Sequence, residues 1–336
     1  MSLKSLLRSV LGSASVSWRK VVATSLVGSV LVVPLVAPPA QADDPLYIPW
    51  STSLPGWTDE YVPSSENDCV SGRWTCLRYT LKELATIHDM NGKSCSHNAI
   101  FSLAYLRMTQ YYGHTREIDG YYEDVRFANH QDAVFAKYYT DAFWNWKNGR
   151  RSEVPQAWLY AFDAAKNKTV TGNGDLLLGM SAHINRDLPF VVAGVGTVAP
   201  DGSSRKLDYN KVEEWLNAAT EPMLEEAAQR YDPSLNDTND PWGLSYLVMF
   251  QLVSGWRENA WRNAEALIEA PTPGIRALVA AKIENEANTV ARGLLLTQSY
   301  TPPLTSTVAR DAYCAANKND RAPMAYGFGR PDPWGY

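Results

Sequence analysis

Histidine is scarce in this chain, with five among 336 residues, and cysteine is scarcer still, with four. Cationic excess is also missing: Asp and Glu outnumber Lys and Arg by 36 to 31, giving a formal charge of −5 at pH 7. That balance argues against a general nucleic-acid binder, which carries a basic patch or stripe. No Gly-x-Ser-x-Gly elbow, phosphate-cradling loop or Gly-x-Gly-x-x-Gly fingerprint occurs, which disfavours serine-hydrolase and nucleotide-dependent chemistry. No segment alternates apolar and polar residues as a half-buried strand does, and no internal repeat is visible.

The one long apolar run, Val21 to Val36, stands behind Lys4, Arg8, Arg19 and Lys20. Ala40-Gln41-Ala42 then fits the small-x-small cleavage rule, so residues 1–42 read as a secretory signal peptide. Pro34, Pro38 and Pro39 interrupt or flank the run and disfavour a retained membrane span. No cysteine follows the cleavage site to carry a lipid. The mature chain is expected to begin near Asp43 and to be secreted, either extracellular or in the cell wall. All four cysteines lie beyond that point, and an even count in an oxidising compartment implies two disulfides. Of the three possible pairings, Cys69–Cys76 with Cys95–Cys314 is favoured.

A Pro- and Ser-rich lead covers residues 43–68, and helical spacing then dominates 69–298. Leu77, Leu81, Leu84 and Ile87 recur every three or four residues. Further helices are expected over His97–Tyr112, over Gln131–Asn148 before Gly149, and from Pro155 onwards. A short apolar helix should end at Pro189. Asp208 is expected to cap the next one, and Asp240-Pro241 and Thr272-Pro273 each set a capping residue before a first-turn proline. The tail, 299–336, is rich in proline and has no period, so it is expected to be irregular. The sum is an all-α fold: one multi-helix, bundle-like domain whose lead and tail are tied on by disulfides.

The stretch from Asp175 to Pro189 concentrates the polar surprises. Asp175, Gly179, His183 and Asp187 recur at intervals of four and so share one face of an otherwise apolar helix. Burying imidazole and carboxylate there demands either a hydrogen-bond network or a metal ion. His97, His130 and Asp132 are the other candidate ligands, and with His183 and Asp187 they form a set suited to a divalent metal, zinc above all. The competing explanation is ordinary, because polar residues at helix starts are usually caps. In Trp256-Arg257-Glu258-Asn259, Glu258 is the candidate base and Arg257 its companion, unless Arg257 simply pairs with a carboxylate between helices. The many aromatics between Tyr111 and Trp146 are read chiefly as core.

Cys95-Ser96-His97-Asn98, Asn129-His130-Gln131-Asp132, Leu177-Leu178-Gly179-Met180-Ser181-Ala182-His183-Ile184-Asn185-Arg186-Asp187-Leu188-Pro189 and Arg257-Glu258-Asn259-Ala260-Trp261-Arg262-Asn263 together resemble an exported actinobacterial family of unknown function. Ser96 departs from that pattern, where an acidic residue is expected. The resemblance covers most of Cys69 to Leu267 and implies no reaction. His183 with Asp187 also looks like the His-x-x-x-Asp element of zinc-dependent phospholipase C and the related single-strand nucleases, which are exported all-α proteins. This chain lacks their N-terminal tryptophan ligand and their larger histidine set.

The leading expectation is therefore a secreted protein with a buried polar site, acting as a metal-dependent hydrolase of phosphoester or ester substrates. Its alternative is a non-catalytic binding protein for lipid or cell-envelope glycan. A metal-free glycosidase using two of Asp175, Asp187 and Glu258 ranks last. The sequence specifies no oligomeric state. Expression in a secretory host should yield a chain whose first residue, by N-terminal sequencing, is at or next to Asp43; material that retains residues 1–42 would contradict the signal-peptide reading.

Overall fold

The apolar spacing of Leu77, Leu81, Leu84 and Ile87 turns those side chains to the buried side of a helix, Trp74–Lys93 (α1). A computed structural model describes residues 61–235, 244–302, 305–320 and 326, with backbone alone for 244–248. The remaining helices follow as Ala99–Thr115 (α2), Val125–Lys147 (α3), Gln156–Asn167 (α4) and Gly172–Ser181 (α5). After a π-helical segment, Ala182–Asp187, come Leu188–Val195 (α6), Lys206–Arg230 (α7), Leu244–Glu269 (α8), Pro273–Thr297 (α9) and Thr307–Asn317 (α10). No strand occurs among the described residues, only isolated bridges at Val170–Ser299 and Val198–Ser204. The fold is all-α, as expected. Helix α2 packs between α1 and α7, and α5 lies against α2 and α4; α6 packs on α8, and α9 lies along α4, α5 and the π-helical segment. None of the described helices is long and apolar enough to cross a membrane.

Several boundaries differ from expectation, each for a local reason. Helix α3 starts at Val125, six residues before Gln131, because the Asp124 carboxylate accepts the Phe127 N–H and caps it. His130 and Asp132 therefore sit inside the helix rather than at its start. Asp208 does not cap α7; it lies in the first turn, and its carboxylate accepts the N–H groups of Glu123 and Asp124 at 2.8 and 3.0 Å. The chain does not stop at Pro189 but continues helically to Val195. A proline lacks the N–H and crowds the carbonyl four residues earlier, and the wider π turn occupies those same residues. The expected irregular tail carries α10. The Asp240-Pro241 junction, residues 1–42 and most of the lead lie outside the described residues.

At Gly179 α5 passes close to α2: a Cβ there would lie 2.4 Å from the Phe101 ring. Cys69 bonds Cys76, and Cys95 bonds Cys314 across 219 residues of sequence. The second bridge fastens α10 to the turn between α1 and α2. Beside it, Arg310 of α10 donates to Asp175 at 2.6 Å and to His97 Nδ1 at 3.0 Å, and His97 Nε2 in turn donates to Asp311 at 3.0 Å. A bridge closing so long a loop restricts the unfolded chain strongly. Replacing Cys95 and Cys314 together by serine should lower the unfolding free energy by about 2–5 kcal/mol in urea titrations; an unchanged midpoint would show that α10 is held without it.

Candidate functional site

The π-helical segment brings its own His and Asp together. His183 Nδ1 lies 3.1 Å from Asp187 Oδ2, an oxygen that also accepts the Trp158 indole N–H at 2.8 Å. Asp187 Oδ1 accepts from Arg186 at 3.0 Å, and Arg186 donates onward to Glu284 of α9 at 2.8 Å. Asp187 is 0 % and Arg186 1 % exposed, so this is a fully buried chain of charge-assisted hydrogen bonds. An Asp187 carboxylate already facing an N–H donor fixes the imidazole tautomer: Nδ1 carries the proton, and Nε2 is left with its lone pair. Burial lowers the His183 pKa against the pull of Asp187, so the ring is neutral at neutral pH. Phe135 stacks flat on that ring, centroids 3.5 Å apart, and Tyr105 meets it edgewise at 4.6 Å.

Beside the imidazole lies a cavity of about 160 Å³ between α2, α3, α5, the π-helical segment, α7 and α8. Phe101, Tyr112, Phe135, Val212, Trp215 and Phe250 supply much of its apolar wall. Five polar side chains that line it have a buried atom with no hydrogen-bond partner: Tyr105 Oη, Thr109 Oγ1, Asp132 Oδ2, His183 Nε2 and Arg257 Nε, the last paired with Glu213 only as an ion pair at 3.5 Å. An unsatisfied buried group costs about 1–3 kcal/mol, so five at one cavity is an unusual concentration. Asp132 is half-buried as a residue, its Oδ2 is buried at the cavity lining, and desolvation pushes its carboxyl up to about 8. It is therefore mostly protonated at neutral pH, a hydrogen-bond donor as well as an acceptor.

The sequence candidates are distributed among three places. His183, Asp187 and Asp132 meet at or just behind this cavity. His97 is engaged at both nitrogens by Arg310 and Asp311, and burial, with Arg310, lowers it to about 4. His130 is buried and donates from Nδ1 to the Cys69 carbonyl at 2.7 Å. The five do not assemble into one donor set, and among the described residues no three His, Cys, Asp or Glu side chains are placed to hold a metal ion. Glu258 lies away from the cavity on the surface, bound by Lys206 at 2.6 Å and Arg262 at 2.9 Å, and the Lys206 hydrogen bond leads in holding its carboxyl below the usual range. Arg257 does line the cavity, with its guanidinium donating to the Tyr209 carbonyl and lying 3.5 Å from Glu213. Asp175, read as part of the same stripe, belongs instead to the Arg310 cluster.

Tyr105, Thr109, Phe135 and Trp158 were not among the site residues expected from the sequence. Phe135 had a signal: it follows Asp132 by three residues and so shares its helix face. His88 is buried between Ser102 and Tyr231, and burial lowers it to about 3.

Residues 77–297 match the family of unknown function DUF5995, and the chain belongs to it. That bears out the family resemblance seen in the sequence and adds nothing for the likeness to zinc-dependent phospholipases and nucleases. Among curated proteins and solved structures, none matches the chain.

Asp132 generates a pH signature. Its folded pKa lies near 8 against an ordinary 3.8, so the folded chain keeps a proton that the unfolded chain has released. Its contribution to stability is therefore present at low pH and is lost as pH rises through about 4 to about 8. Asp132→Asn should remove that loss: the stability difference, variant minus wild type, should grow by more than about 1.4 kcal/mol, the equivalent of one pKa unit, between pH 5 and pH 8. A difference independent of pH would contradict the burial of this carboxyl.

Proposed function

We propose that this member of DUF5995 is an exported, ligand-binding protein that holds a small, mainly apolar molecule inside its helical bundle. The observation that carries the reading is the cavity of about 160 Å³ walled by aromatic and aliphatic side chains, with a cluster of unpartnered polar atoms at its lining. A well-packed bundle has few voids larger than a water molecule. An apolar void of comparable size, about 150 Å³, takes up benzene. Convergence of a few polar groups on an otherwise apolar pocket is the usual pattern of a small-molecule site. The size favours a single ring or a short hydrocarbon chain, and the apolar wall speaks against a glycan. Export draws its support from the signal-peptide pattern at residues 1–42 and from two disulfides among the four cysteines. Metal-dependent hydrolysis has no comparable support, because the candidate ligands are dispersed and Glu258 is tied up at the surface.

Toluene should raise the thermal unfolding midpoint of the purified chain in a saturable manner, as any ligand selective for the folded state does. Val212→Phe, which fills the cavity from α7, should fold and lose that response. A wild-type midpoint indifferent to toluene, or a Val212→Phe variant that responds equally, would remove the cavity from consideration as a binding site.

A further inference from the structure

The polar atoms at the cavity differ in what they offer a ligand, and their pattern is specific. His183 contributes a lone pair at Nε2, because Nδ1 is committed to Asp187. Asp132 contributes a carboxyl with no hydrogen-bond partner at Oδ2, three residues along α3 from the Phe135 ring that stacks on His183. Tyr105 and Thr109 contribute hydroxyls that also lack partners. The site thus presents an acceptor that cannot donate beside groups that can do both. We infer that the cavity takes a neutral, ring-sized alcohol or phenol, whose hydroxyl settles against Asp132 and His183 while its ring lies among Tyr105, Phe135 and Trp215. This rests on the reading of the cavity as a ligand site and specifies the class of ligand.

A hydroxyl matches because it donates once and accepts at its lone pairs, so it can satisfy the imidazole nitrogen and take a hydrogen bond from the carboxyl or from Tyr105. Burial holds the Tyr105 hydroxyl well above its ordinary pKa and keeps the Asp132 carboxyl protonated at neutral pH, so both remain donors. A carboxylate ligand fits poorly. It offers only acceptors, so it cannot donate to the His183 Nε2 lone pair, and the Arg257 guanidinium at the lining already donates to the Tyr209 carbonyl and lies 3.5 Å from the Glu213 carboxylate. An ammonium ligand fits poorly as well, since it has no lone pair to accept from the hydroxyl donors and would need Asp132 to ionise where desolvation disfavours the charge, with the Arg257 guanidinium also at the lining. A bare hydrocarbon ring would enter but leave the polar atoms unpaired. Sites built to hydrogen-bond a hydroxyl discriminate strongly against the analogue that lacks it.

The test uses the full purified chain at pH 7 and four probes of one ring each: phenol, toluene, benzoate and benzylamine, measured by calorimetric titration. Phenol should bind at least about tenfold more tightly than toluene, the equivalent of one net hydrogen bond, and more tightly than benzoate or benzylamine. In Asp132→Val, toluene should still bind while the phenol preference shrinks, since His183 and Tyr105 remain; Asp132→Asn, whose amide both donates and accepts, should retain more of it. Equal binding of phenol and toluene by the wild type overturns the inference and leaves the cavity reading standing, and a preference for benzoate or benzylamine overturns it in favour of a charged ligand. Failure of all four probes to bind overturns both. The wild-type comparison decides the matter even if Asp132→Val does not fold.

Discussion

A single buried carboxylate organises the centre of this bundle. Asp187 gathers the Trp158 indole from α4, the His183 imidazole from its own turn and the Arg186 guanidinium, which reaches on to Glu284 of α9. An ionised carboxylate without water is costly, and here each oxygen is met by N–H donors. Three segments are thereby locked around one side chain, and the imidazole is held in one tautomer against the Phe135 ring. The cavity beside it is walled chiefly by aromatic and aliphatic side chains, with His183, Asp132, Tyr105 and Thr109 among its few polar groups. Two other buried networks do comparable structural work elsewhere. Arg107 and Tyr326 meet on Glu226, where burial opposes ionisation but these partners and Arg230 outweigh it and hold the carboxyl at about 2. Arg310, Asp175 and His97 join α10 to the body. Both of those networks lie apart from the cavity.

The fold was largely legible because its signals are local. Helical spacing, Thr272-Pro273, Pro155 and the apolar side of α1 each act over a few residues, and the helices duly form there. The even cysteine count, with the expected export, pointed to the two bridges that are present. What misled were the boundaries set by contacts remote in sequence. The start of α3 depends on Asp124 as a cap, and the loop before it is fastened by Asp208 from α7, 85 residues away in sequence for Glu123. Pro189 looked like a terminator because an α-helix tolerates it badly; a π turn absorbs it, and no sequence period announces a π turn.

The site was legible in part. The His183/Asp187 pair was found from spacing alone, and both Asp187 oxygens accept hydrogen bonds from protein donors. Asp132 was the residue most easily dismissed, since a carboxylate near a helix start is usually a cap. Once the helix begins at Val125 that explanation lapses, and a protonated carboxyl facing a cavity takes its place. Glu258 was attractive for the apolar residues around it in sequence, yet helical rotation turns it outward to Lys206 and Arg262. Residues of one motif, Arg257 and Glu258, thus part company because neighbours in a helix point about a quarter turn apart.

On the proposed reading, the void beside His183 is a ligand chamber rather than a packing fault. A crystal structure of the protein grown or soaked with toluene decides between the two. Ring-shaped density is expected in the chamber, in contact with Phe135 and Trp215, with the His183–Asp187–Trp158 hydrogen bonds unchanged. A chamber filled instead by side chains that have moved into it, or toluene found only at other places on the protein, would contradict it.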